Sequence, residues 1–225
     1  MRSVTLAGVL WDMDGTLLDS EKIWDVGVRE LAVELGGTMS DELRHALIGA
    51  SGPNALRIVF EGLGLEQRPE AVAAAGKWLQ RRVTELFAGP VPWRPGAQEA
   101  LAAVRAAGIP AALVTNTQRP VAELCLDTVG RHWFDATVCG DEVPEGKPAP
   151  DPYLRAAELL GVPPEHCVAV EDSPTGAQSA AAAGCRVLVV PCEIAVPSGP
   201  GRVFRESLVG LTVADLHAVL AVPVS

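Results

Sequence analysis

Three features of this 225-residue sequence predict an α/β fold, a parallel sheet with helices on both faces and a small all-helical segment inserted near its start. Short β-branched apolar runs alternate with alanine-rich helical stretches, and such alternation implies parallel strands joined by crossover helices. Several helical stretches stop at a glycine, namely Gly108, Gly130, Gly161 and Gly184, as expected where a helix ends on a left-handed residue. One interval, from about Ser20 to Phe87, carries no convincing strand signal.

The first strand is an apolar run that begins near Val4, closes with Val9-Leu10-Trp11 and ends at an Asp-Gly turn. Further strands are expected over 110–115, 136–139, 167–170 and 185–190, with helices between them near 96–107, 118–129, 151–160 and 174–183. The strandless interval has helical patterns near 20–35, 40–48, 53–62 and 69–87. Gly89-Pro-Val-Pro-Trp-Arg-Pro-Gly96 then reads as the linker returning to the sheet. The chain is therefore divided into a core of residues 1–18 and 92–225 and an inserted helical domain of residues 19–91. Residues 193–202, rich in Pro and Gly, are expected to form an exposed loop. A parallel sheet of this kind places its site just beyond the carboxyl ends of its strands.

Composition narrows the function classes. A hydrophobic content of 48% is enough for a substantial core. No uninterrupted apolar run reaches the roughly 20 residues a membrane helix needs, and the N-terminal residues do not read as a secretory signal. A net charge of −10, spread along the chain, argues against nucleic-acid binding. The five cysteines are odd in number and form no CxxC pair, which predicts reduced thiols and a cytoplasmic protein. The four histidines have no metal-ligand spacing.

Four motifs carry chemistry, each at a strand end or in the loops above it. In Trp11-Asp12-Met13-Asp14-Gly15-Thr16, two carboxylates leave one strand end, where they can bind a hard cation or attack phosphorus or, alternatively, simply begin a turn. Val114-Thr115-Asn116 brings a hydroxyl and an amide to a second strand end. Lys147 lies between Gly146 and Pro148 in an acidic neighbourhood, suited to act as a point charge on a phosphoryl group, although by itself it reads as a solvated loop lysine. Glu171 and Asp172 end a buried-type strand as adjacent acids. They repel unless a cation relieves them, although Asp172-Ser173-Pro174 would also start a helix. Together these are the parts that phosphoryl transfer requires.

In DMDGTLLDSE, VTNT, GKPAPDPY and EDSPTGAQSAAAAG, in that order, the sequence resembles the haloacid dehalogenase superfamily, in its phosphatase branch with a helical cap. The resemblance implies a Rossmann-like core with the insert as cap. It further implies that Asp12 is the nucleophile forming an aspartyl-phosphate, and that Asp14 protonates the leaving oxygen and then activates water. Thr115 and Lys147 would hold the phosphoryl group, with Asn116 nearby. Mg2+ would be bound by Asp12, the Asp14 carbonyl, Asp172 and Glu171. The substrate would be a small phosphorylated metabolite, a sugar phosphate or phosphoglycolate, with the chain a monomer or weak homodimer.

The resemblance also weighs the relatives. Asp14 favours phosphate chemistry over dehalogenation, and Lys22 follows DGTLLDSE in a phosphatase-like way. A hexose-phosphate mutase would need cations that the stretches 49–54 and 115–118 lack, although Arg57 and Arg119 lie nearby. A non-catalytic phosphometabolite-binding protein would be expected to have lost Asp12 or Asp14. In the cap, Glu21, Ser51 and Asn54 are the candidate substrate contacts, with Trp24 and Trp78 as further candidate lining.

Overall fold

In the computed structural model, which describes residues 5–48, 50 and 52–223, the first apolar run becomes β1 (Gly8–Trp11), buried along its whole length at the centre of the sheet. Side chains alternate across a strand, so Val9 and Trp11 enter one apolar cluster and Leu10 the other. The same division runs through β2 (Ala111–Val114) and β4 (Cys167–Glu171), which is why these segments are continuous hydrophobic runs rather than alternating ones. With β3 (Ala136–Val138), β5 (Arg186–Val189) and β6 (Arg202–Phe204), the order is β3-β2-β1-β4-β5-β6 and every pairing is parallel. This is the Rossmann-like α/β core expected.

Trp11 lies opposite Leu113 on one side and Val170 on the other. The residues that follow these three therefore emerge together at the carboxyl edge. The order also reverses beside β1, so a cleft opens there between the β1 and β4 ends.

Between Leu18 and Trp93 the chain forms α1 (Glu21–Glu34), α2 (Asp41–Leu47), α3 (Gly52–Gly62) and α4 (Pro69–Leu86). They bury their own apolar cluster, which includes Leu31, Val59, Phe60 and Ala75. The segments entering and leaving this unit lie side by side: Asp19 N donates to Pro92 O (2.8 Å) and Arg94 N to Leu17 O (2.8 Å).

Among the described residues, the remaining α-helices are α5 (Ala97–Ala106), α6 (Arg119–Val129), α7 (Asp151–Leu160), α8 (Pro174–Ala182) and α9 (Val213–Leu220). Two elements go beyond the sequence reading. Strand β6 starts at Arg202, the last residue of the expected loop, and exists through its pairing with β5. Helix α9 is closed by a capping box between Thr212 and Asp215, a T-x-x-D signal legible in the sequence. Among the described residues, no helix is long and apolar enough to cross a membrane.

Candidate active site

Two strand ends bring three acids together around a lysine supplied by the loop between β3 and α7. Lys147 Nζ donates to Asp12 Oδ1 (2.6 Å), Glu171 Oε1 (2.6 Å) and the Val114 carbonyl (2.9 Å), almost entirely shielded from solvent. The loop carrying the lysine is clamped by Asn116, whose Oδ1 accepts from Lys147 N (2.8 Å) and whose Nδ2 donates to Lys147 O (3.2 Å). Burial alone would lower the lysine, but Asp12 and Glu171 outweigh it and hold the ammonium above the usual range.

Burial, and then the charge of Glu171, push Asp12 up to about 8. Burial and the charges of Asp12 and Glu171 drive Asp172 well above the ordinary carboxylate range. Ligand oxygens of Asp12, Glu171 and Asp172 lie within 4.8 Å of one another, and Asp12 Oδ2 is buried without a hydrogen-bond partner. A Cβ on Gly15, where φ is +84°, would lie 2.2 Å from Asp172 Oδ2, so only glycine admits that carboxylate.

The Asp14 carboxylate has a separate set of partners. Its Oδ1 accepts from Ser20 Oγ (2.7 Å) and Trp24 Nε1 (3.0 Å), and its Oδ2 from Thr117 Oγ1 (2.8 Å) and Thr115 Oγ1 (3.1 Å). Two donors come from the start of the helical insert and two from the β2 end, so the carboxylate spans the junction. The sequence does not mark Ser20 and Thr117, since a hydroxyl in a loop carries no sign of its partner. Tyr153 belongs to the site as well: its hydroxyl donates to Glu171 Oε1 and its ring lies under Lys147 Nζ, 5.2 Å from the centroid. The sequence marks it only as a residue of GKPAPDPY.

Above these residues lies a cavity of about 680 Å³ between the helical insert and the sheet edge, within the usual size range of ligand pockets. Asp12, Asp14, Thr115, Asn116, Lys147 and Asp172 form its floor. Glu21 and Trp24 line its wall, and burial followed by the charge of Asp14 pushes Glu21 up. Asn54 is not among the lining residues; its Oδ1 accepts from Arg57 (2.9 Å). Trp78, half-buried, packs against the apolar core of the insert instead. Ser51 lies outside the described residues. Arg57 and Arg119 are committed to Glu61 and Glu142, and neither lines the cavity.

Residues 6–184 match the haloacid dehalogenase-like hydrolase family. The chain belongs to that family. It is 35% identical over 187 residues to hexitol phosphatase A of Escherichia coli, covering 81% of this chain and 82% of that protein. It is 33% identical to the phosphorylated carbohydrates phosphatase of Thermotoga maritima, with 80% and 82% covered. Among solved structures, a point mutant of CbbY from Rhodobacter sphaeroides, in complex with xylulose-(1,5)bisphosphate, superposes with a TM-score of 0.83 at 30% identity, covering 94% of this chain and 99% of that one. This haloacid dehalogenase-like hydrolase is thus a phosphoric monoester hydrolase, with an acidic cluster able to hold a divalent metal.

Proposed function

We propose that this enzyme is a cytoplasmic, magnesium-dependent phosphatase of a small phosphorylated metabolite of the sugar-phosphate or phosphoglycolate type, working as a monomer or weak homodimer. Residues 19–91 act as the cap over a core of residues 1–18 and 92–225. The observation carrying the reading is the meeting of Lys147 with Asp12 and Glu171 beneath the cavity, beside the orphaned Asp12 Oδ2.

The donor set suits magnesium, a hard cation that takes oxygen ligands. Asp12, Asp172, Glu171 and the Asp14 main-chain carbonyl would hold it. Bound there, it would neutralise charge among the carboxylates and on the phosphoryl oxygens.

Asp12 attacks phosphorus as its ester oxygen departs, giving an aspartyl-phosphate. Asp14 supplies the proton to the leaving oxygen and then takes one from the water that cleaves the intermediate. Thr115 and Lys147 hold the phosphoryl oxygens, and Asn116 keeps Lys147 in place through its backbone. Glu21 contacts the leaving group, and Ser51 is assigned the same role from sequence alone. The commitment of Arg57 and Arg119 elsewhere favours plain hydrolysis over a mutase, which must grip two phosphates.

Phosphate release from a panel of phosphomonoesters, with and without magnesium, tests the proposal. Magnesium-dependent release that disappears in Asp12→Asn is the expected result. Release indifferent to that substitution would refute it.

A further inference from the structure

The cap wall of the cavity differs in charge from its floor. Arg44 of α2 lines the cavity, but its guanidinium donates to Glu21 Oε2 (3.0 Å), Asp25 Oδ1 (2.9 Å) and Glu193 Oε2 (3.5 Å). Arg29 pairs with the same Asp25 and with Asp41. Two guanidinium groups thus face four carboxylates, and one of these, Glu21, belongs to the cavity wall. Glu21 directly follows Ser20, whose hydroxyl binds Asp14, so this negative group stands where the phosphoryl end of the cavity opens into the cap.

Elsewhere the wall is largely apolar, with Val28, Leu47, Leu56, Val72 and Leu79 among its residues. Its remaining cation, Lys77, is exposed at the rim, where pairing with an anion contributes little through high dielectric. The cavity of about 680 Å³ equals the liquid volume of roughly 23 waters at ~30 Å³ each. A two-carbon body would leave most of that space wet.

We propose that the alcohol portion of the substrate is uncharged and about the size of a sugar, and that Glu21, with Arg44 already consumed by carboxylates, excludes compounds bearing a carboxylate or a second phosphate. This rests on the phosphatase reading and narrows it: a phosphorylated polyol or comparable neutral body is accepted, whereas phosphoglycolate and sugar bisphosphates are not. Discrimination works by setting the Glu21 carboxylate, part of a cluster in which four acids outnumber two guanidinium groups, against the wrong ligand rather than by adding a contact to the right one.

The test uses the full chain with magnesium and para-nitrophenyl phosphate as reporter. Sorbitol 6-phosphate, 6-phosphogluconate, fructose 1,6-bisphosphate and phosphoglycolate are compared as competitors by their inhibition constants, whether or not each is itself hydrolysed. Sorbitol 6-phosphate is expected to bind at least tenfold more tightly than 6-phosphogluconate. That ratio should shrink at least threefold in Glu21→Gln and at higher ionic strength, because the exclusion is electrostatic. Glu193→Gln, in a core loop outside the cavity lining, frees part of Arg44 and should shrink the ratio as well; thermal melting checks that both variants fold. Equal or tighter binding of 6-phosphogluconate or the bisphosphate, or a bisphosphate affinity abolished by Lys77→Gln, would overturn the proposal. Absence of any magnesium-dependent, Asp12-dependent hydrolysis of the reporter would instead remove the phosphatase reading on which it rests.

Discussion

Gly176 sits in the first turn of α8, where replacing glycine with alanine ordinarily stabilises a helix by about 0.5–1 kcal/mol. The structure reverses that expectation. A Cβ at this position would lie 2.0 Å from both Glu171 oxygens. Glu171 is fully buried, and its carboxylate holds Lys147 and Tyr153 through Oε1 and Ser173 Oγ through Oε2. Gly176→Ala must therefore displace a carboxylate that has nowhere solvated to go, and the Lys147–Glu171 pair breaks. Breaking a buried pair costs about 3–5 kcal/mol, against which the helix gain is small. For a chain of this size each kcal/mol moves Tm by roughly 2–4 °C, so the net fall should be on the order of 10 °C. Thermal melting followed by circular dichroism measures it, and magnesium-dependent hydrolysis of para-nitrophenyl phosphate should collapse in parallel. A variant that melts higher than the wild type with unchanged kcat would refute the argument that Gly176 exists to admit Glu171.

Other consequences follow from the same geometry. Tyr153→Phe removes one donor from buried Glu171 and should lower stability by about 1–3 kcal/mol, read by denaturant unfolding; no change would mean the hydroxyl is idle. Thr117→Val deletes one of four hydrogen bonds to Asp14 and should reduce kcat by roughly tenfold or more with KM little altered, whereas a loss confined to KM would make Thr117 a binding residue. In chelator, the folded chain holds Asp12 protonated up to about 8 and Asp172 also raised, against an ordinary 3.8 for both. The folded state then binds more protons than the unfolded one between about pH 4 and pH 8, so metal-free stability must fall as pH rises through that window. Saturating magnesium should flatten the fall, because it binds the ionised carboxylates; a metal-free Tm that climbs with pH would contradict this.

Local rules were sufficient for most of the fold. Continuous apolar runs identified the central strands, because a strand covered on both faces needs no polar side, and four helical patterns without a strand marked the insert. The short strand β6 was not legible, since three residues have no period of their own and form a strand only because β5 offers an edge. The floor of the site was legible for a related reason. Asp12, Thr115 and Glu171 each stand at a strand end, and parallel pairing in register brings strand ends together without further information.

What lies between elements had to come from the tertiary structure. The sequence offers Asn54 and Trp78 as well as Glu21 and Trp24, yet helix rotation within the insert turns the first toward Arg57, packs the second, partly buried, against the insert's own core, and leaves the last two on the cavity. Asn116 lies on the cavity floor and also clamps the loop of Lys147, a pairing that exists only because residue 147 approaches it in the fold. Gly176 reads as an ordinary helix residue until Glu171 is seen beneath it. Periodicity and strand-end position are properties of a few consecutive residues and survive in the sequence. Which side chain fills the space left by another is a property of packing between distant segments, and that is decided only when the chain has folded.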